Sequence, residues 1–184
     1  TKKIDEIILN LNNMPINFFE LSHGSINYKN NFYISGGNDS PNLFCKYVYK
    51  NNNLCLLKEM PSNHSFHGMV GIKSNIYVIG GFYSKKVEKY DILENSWEKL
   101  EDLNKNRIWP NCLNFRNRYI YAFGGLYNKE NDEENIIIEK IDLNSMNNNW
   151  ELLYLNNKHK SKAKHNLGAI NIDDNNFLFI GEKI

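Results

Sequence analysis

The sequence predicts an all-β fold in which similar four-stranded sheets are set radially about an axis. Three observations predict it. Gly36-Gly37, Gly80-Gly81 and Gly124-Gly125 recur 44 residues apart, each closing an apolar run. Self-similarity at a period of roughly 40–50 residues marks a repeat architecture. Between the glycine pairs, short β-branched and aromatic runs alternate with Asn, Ser and Gly, the pattern of successive hairpins. Finally, Ile76-Tyr77-Val78-Ile79 is apolar at every position, so its strand must be covered on both faces. An open sheet would leave one face in water, at about 25 cal/mol per Å² of apolar area. Radial stacking covers both.

In chain order, residues 4–14 come first. Ile8, Leu11 and Met14-Pro15 repeat the spacing of Leu54, Leu57 and Met60-Pro61, which makes them the last strand of a preceding or shared sheet. Residues 22–60 form the first full unit, with Tyr47, Leu54 and Leu57 where Tyr90, Trp97 and Leu100 stand one repeat later. Residues 66–104 are the clearest unit. Gly68 to Ile72, Ile76 to Ile79, Val87 to Asp91 and Trp97 to Leu100 read as its four strands, separated by polar turns. Residues 110–155 form the third, in which Glu139-Lys140-Ile141-Asp142 repeats Glu88-Lys89-Tyr90-Asp91 and Trp150 with Leu153 repeats Trp97 with Leu100. An acidic insertion, residues 128–135, follows its glycines, and insertions in repeats map to loops on one face. Residues 165–184 make half a unit, ending on Phe177-Leu178-Phe179-Ile180 and a degraded Gly181-Glu182.

An aromatic residue nine positions after the double glycine and a Trp seven beyond it, here Tyr90 and Trp97 after Gly81, resemble the kelch repeat. Arg107 falls where kelch repeats often carry an Arg, and His64 takes that place one repeat earlier. The resemblance covers about residues 4–184, so residues 1–184 are expected to form a single propeller region. Departures are Leu54 for Trp, Ile141 for Tyr, and Gly181-Glu182 for the fourth glycine pair. The resemblance implies a β-propeller of kelch-type four-stranded antiparallel blades, three full and the rest partial. Propellers carry four to eight blades, so the chain, which starts on Thr, is expected to be a fragment of a larger ring. The alternative is a compact ring in which residues 4–14 complete the sheet begun by residues 165–184.

Bulk properties exclude some function classes. A formal net charge of +1 over 184 residues exerts no long-range pull on nucleic acid or an anionic membrane. No apolar stretch approaches the roughly 20 residues of a membrane helix. Cys45, Cys55 and Cys112 form no CxxC pair, and an odd, sparse count fits a reducing, cytoplasmic compartment. The 33 Asn residues are dispersed in runs no longer than three, and 24 aromatics at regular positions oppose disorder.

Catalytic chemistry finds no candidate. The glycine pairs allow close approach or positive φ, and a phosphate-cradling reading would need a following helix. His23 and His67 stand ahead of the first strands of successive units, with no thiol or carboxylate at ligand spacing, so no metal site is expected. Some kelch propellers are copper oxidases, but the Tyr residues here follow the repeat rather than clustering. No cofactor is expected, and Gly-x-Ser-x-Gly, HExxH and Walker sequences are absent. The expectation is a non-catalytic protein-interaction module.

Function in such a scaffold belongs on loops. By the resemblance, partners meet the face built from second-to-third-strand and fourth-to-first-strand loops. On this chain those loops offer Asn38, Asp39, His64, Phe66, Phe82, Tyr83, Arg107, Trp109, Tyr127 and Lys160 as binding residues. The aromatics and Arg107 are types enriched in interface hot spots, although Trp109 could equally pack against the next blade. An acidic loop over residues 129–134 and a basic one over 158–164 could steer a partner of mixed charge. Kelch propellers serve as substrate receptors of ubiquitin ligases or as scaffolds, and some form regulatory parts of larger enzymes, so the partner is expected to be a protein.

Overall fold

The structure is a computed structural model describing residues 22–125, 135–147, 149–156, 167–173 and 176–181. The expected strand over residues 4–14 lies outside these. Among the described residues every regular element is a strand. The first blade is β1 (Gly24–Tyr28), β2 (Asn31–Ser35), β3 (Phe44–Val48) and β4 (Asn53–Leu56). The second is β5 (Gly68–Ile72), β6 (Asn75–Ile79), β7 (Val87–Asp91) and β8 (Ser96–Lys99). The third is β9 (Asn111–Phe115), β10 (Tyr119–Phe123), β11 (Asn135–Asp142) and β12 (Glu151–Asn156). A half blade follows, β13 (Leu167–Asn171) and β14 (Phe177–Gly181). Each blade is an antiparallel meander in chain order.

The register confirms the alignment of the repeats. Tyr90 lies opposite Trp97 and Ile76 in the second blade, as Tyr47 lies opposite Leu54 and Phe32 in the first. Ile141 lies opposite Ile120 at the same place in the third. The acidic insertion does more than lengthen a loop. Asn135, expected at the loop's end, already pairs with Asn156, so β11 is eight residues long against five for β3 and β7.

The core lies between blades rather than within a sheet. Tyr33, Phe44 and Met60 of the first blade pack on Ile76, Val78 and Tyr90 of the second. Val70, Ile72, Ile79 and Leu103 of the second pack on Ile120, Ala122, Ile141 and Trp150 of the third. Leu113, Phe123 and Ile138 meet Ala169 and Phe177 of the half blade. Strand β6 is buried at Ile76, Tyr77, Val78 and Ile79 alike, because a neighbouring blade covers each face. The first strands β1, β5, β9 and β13 adjoin in sequence, which places them innermost around the axis.

The tryptophans fasten each blade to the one before. The Trp97 ring sits edge-on to Phe44 at 4.9 Å, and its indole N–H donates to Lys58 O at 2.8 Å. Trp150 donates in the same way to Glu101 O at 3.0 Å. Both acceptors lie just beyond the fourth strand of the preceding blade, so the indole reaches across the gap while its ring fills it.

Candidate aromatic docking site and the braces beneath it

The loops entering β1, β5 and β9 carry Ser22, Phe66 and Trp109 at equivalent positions, each with a left-handed backbone at φ 89°, 55° and 53°. Two hydrogen bonds chain them together: Phe66 N–H to Ser22 O at 3.0 Å and Trp109 N–H to Phe66 O at 2.6 Å. Backbone this close to the axis therefore runs from blade to blade as one ladder. Tyr83, in the loop after Gly81, is left-handed as well at φ 52°. Bulky non-glycine residues rarely adopt that region, and such strain collects at functional sites.

Four aromatic rings converge on this ladder. Phe66 stacks edge-on to Trp109 at 4.6 Å and tilts against Phe82 at 5.8 Å, while Phe82 meets Tyr83 at 4.3 Å. Phe82, Tyr83 and Trp109 remain 50%, 61% and 62% exposed. Phe82 N–H is held by Ser65 O at 2.8 Å, so its loop is tied to the Phe66 loop. Trp109 thus does not pack into the next blade. It projects from the loop face and leans back on the preceding blade's Phe66. Asn38 and Asp39 are exposed on the first blade, where Ser22 Oγ–H donates to Asn38 Oδ1 at 2.9 Å. Tyr127 and Lys160, with both charged loops, lie outside the described residues.

His64 and Arg107 are not on this surface. Both were expected to bind a partner, but they are 1% and 0% exposed. Each loop passes between two blades, so its side chain turns inward to satisfy the next one. Arg107 Nε donates to Glu139 Oε1 at 2.9 Å, one terminal nitrogen to Gly124 O at 2.8 Å and the other to Ile137 O at 3.0 Å. Its own carbonyl accepts Gly81 N–H at 2.9 Å from the preceding blade. Burial pushes the Arg107 pKa below its ordinary value, and the adjacent Glu139 opposes that fall.

At the equivalent junction His64 O accepts Gly37 N–H at 3.0 Å, and the imidazole Nδ1 lies 2.9 Å from Gly80 O. Its Nε2 lies 3.3 Å from Glu88 Oε2. Glu88 and Glu139, two residues ahead of Tyr90 and Ile141, are the carboxylates that the sequence reading missed: Glu139 accepts from Arg107, and Glu88 lies within ion-pair distance of His64. Both are buried. The signal was available: a Glu at one fixed place in two repeats whose strands are covered on both sides. His67, three residues past His64, is buried with Nε2 2.7 Å from Ser35 Oγ, and burial holds its pKa down at about 3.

Among the described residues no group of three His, Cys, Asp or Glu side chains is arranged to hold a metal. Cys45, Cys55 and Cys112 are all free thiols, and burial pushes Cys45 and Cys112 up to about 12. No helix among the described residues is long and apolar enough to cross a membrane.

The family model described as Kelch motif matches residues 64–104. Kelch-like protein 40 of Xenopus laevis is 24% identical over 170 residues, covering 86% of this chain and 28% of that protein. A RING finger domain and kelch repeat-containing protein of Dictyostelium discoideum is 26% identical over 148 residues, 76% of this chain and 14% of its own length. The chain thus spans less than a third of either relative. Among solved structures, that of YjhT superposes with a TM-score of 0.63 at 16% identity, covering 82% of this chain and 54% of that one. With the glycine-pair period, the four-stranded blades and the interblade tryptophans, these matches show a Kelch motif at residues 64–104 and a likeness to kelch-repeat proteins over most of the chain, folded as blades of a β-propeller.

Proposed function

We propose that this chain is a non-catalytic interaction module that docks a protein partner on the aromatic patch of Phe66, Phe82, Tyr83 and Trp109. One observation carries the reading: three of these four aromatics stand in left-handed backbone, held there while two of the three stay largely exposed. Folding gains little from exposed rings on a strained, ordered loop, whereas association gains much, because an ordered aromatic loses little entropy on binding. Asn38 and Asp39 would supply polar rim contacts. The odd, sparse cysteine count supports a reducing, cytoplasmic setting. Within a longer protein the module would act as a substrate receptor or scaffold, and the short span of the matched relatives leaves room for a regulatory propeller of a larger enzyme as the second reading.

The double substitution Phe82→Ala with Trp109→Ala is expected to weaken partner capture by at least about 30-fold, the loss of about 2 kcal/mol that a single hot-spot aromatic already contributes. Thermal unfolding should be nearly unchanged, because both rings are exposed. Leu93→Ala, a 78% exposed site on the β7–β8 hairpin, serves as the control and should leave capture intact. Equal capture by all three proteins would rule out the patch as the docking site.

A further inference from the structure

We propose that the end of the propeller opposite the aromatic patch carries a second docking surface, a basic rim of Lys29, Lys73 and Arg116 that holds an acidic segment of a protein partner. Topology brings the three together. In an antiparallel meander the hairpins after the first and third strands share one end, and the loops bearing Phe66, Phe82, Tyr83 and Trp109 occupy the other. Lys29, Lys73 and Arg116 each immediately follow the first strand of their blade, β1, β5 and β9. Those strands are the innermost, so the three tips stand side by side around the axis.

The fold does not ask for cations there. All three residues sit in left-handed backbone, at φ 48°, 54° and 56°, a region in which Asn is enriched among non-glycine residues. The outer hairpins follow that preference, with Asn52 at φ 53° and Asn95 at φ 47°. Asn is plentiful in this chain, at 33 positions, yet the inner tip of every full blade begins with Lys or Arg. All three side chains are exposed, and backbone held against its preference at the surface collects where function needs it.

The tips are braced into one surface. Tyr28 O–H donates to Lys73 O at 3.0 Å, and its ring lies against Gly71, where a Cβ would fall 2.4 Å from it. Lys29 Nζ reaches Ser74 Oγ at 3.5 Å, which sets the first tip beside the second. Asn114 Nδ2 donates to Gly71 O at 3.0 Å and to Asn117 Oδ1 at 3.1 Å, fastening the third tip to the second. Among the described residues neither Lys29 nor Lys73 forms an ion pair. Asp91 accepts the Leu93 and Glu94 amides and Asp142 holds Arg118, so neither acid serves the tips.

Carboxylates complement this rim, and complementary charge selects a partner and speeds its encounter. The positive area is small. Exposed Glu94 on the β7–β8 turn and Asp173 on the β13–β14 turn stand at the same end. A long polyanion or a flat anionic membrane would meet those acids too, whereas a short acidic segment need touch only the tips.

Fluorescence anisotropy of the full chain with a labelled Glu-Ser repeat peptide tests this. Binding should weaken with salt, because exposed charges are screened beyond about 10 Å at 0.1 M ionic strength. Lys29→Gln with Lys73→Gln should lower affinity about tenfold, the worth of two exposed charge pairs. Lys29→Arg with Lys73→Arg should retain it. Lys85→Gln with Lys86→Gln removes the same charge from the opposite end and should leave binding intact. Both rim lysines are exposed, so no variant puts folding at risk. Absence of wild-type binding at low salt, or an equal loss in the two Gln variants, overturns the proposal. So does equal binding of a Gln-Ser peptide, or tighter rim-dependent binding of a single-stranded oligonucleotide or anionic vesicles.

Discussion

Arg107→Ala is expected to destabilise the protein by about 3–5 kcal/mol, the usual cost of stranding one partner of a buried ion pair. Three hydrogen bonds disappear together, to Glu139, Gly124 O and Ile137 O, and the fully buried Glu139 carboxylate keeps only the Asn104 and Lys105 amides. The double variant Arg107→Ala with Glu139→Gln should recover part of the loss, because no charge is then left in the gap. Urea unfolding of the two variants checks the order. If Arg107→Ala unfolds like the wild type yet loses partner binding, Arg107 belongs to the docking surface after all.

Gly36→Ala should cost about 2–5 kcal/mol. The backbone there sits at φ 59°, where a Cβ adds roughly 1–2 kcal/mol. That Cβ would also lie 2.1 Å from His64 O, the carbonyl that accepts Gly37 N–H, and overpacking against backbone adds roughly 1–3 kcal/mol. The clash pushes the His64 loop off the first blade. Thermal unfolding is the check: a midpoint within a degree or two of the wild type would show that the loop moves aside without cost.

Much of this fold is legible in the residues. A strict period between glycine pairs, one strand apolar throughout and the repeated Tyr47 and Tyr90 leave a stacked arrangement as the only way to cover Ile76 to Ile79 on both faces. The tryptophans could be placed as well, since Trp97 and Trp150 each stand three residues ahead of a Leu, Leu100 and Leu153, near the end of their units. Side-chain direction in the loops was not legible. Spacing marks His64 and Arg107 as equivalent, but nothing local says that their loops thread between blades and must turn inward. The carboxylates beside them, Glu88 and Glu139, lie 24 and 32 residues further along and become neighbours only when the blades assemble.

The docking patch was half visible. Phe66, Phe82, Tyr83 and Trp109 were all named as loop aromatics, but their convergence was hidden, because Phe66 and Trp109 stand 43 residues apart and meet only through the radial arrangement. Their left-handed backbone ran against propensity. Gly or Asn is the ordinary occupant of such turns, and it is the ladder from Ser22 through Phe66 to Trp109 that imposes the angle on bulkier residues.

That ladder is also where the account is most directly testable. A loop residue with a 62% exposed side chain would ordinarily exchange its amide hydrogen almost freely. Bonding of Trp109 N–H to Phe66 O predicts exchange slowed by about a thousandfold or more, tracking the opening of whole blades. Exchange at the rate of an unstructured loop would mean that the aromatic patch is not a preformed surface, and the docking role built on it would fall.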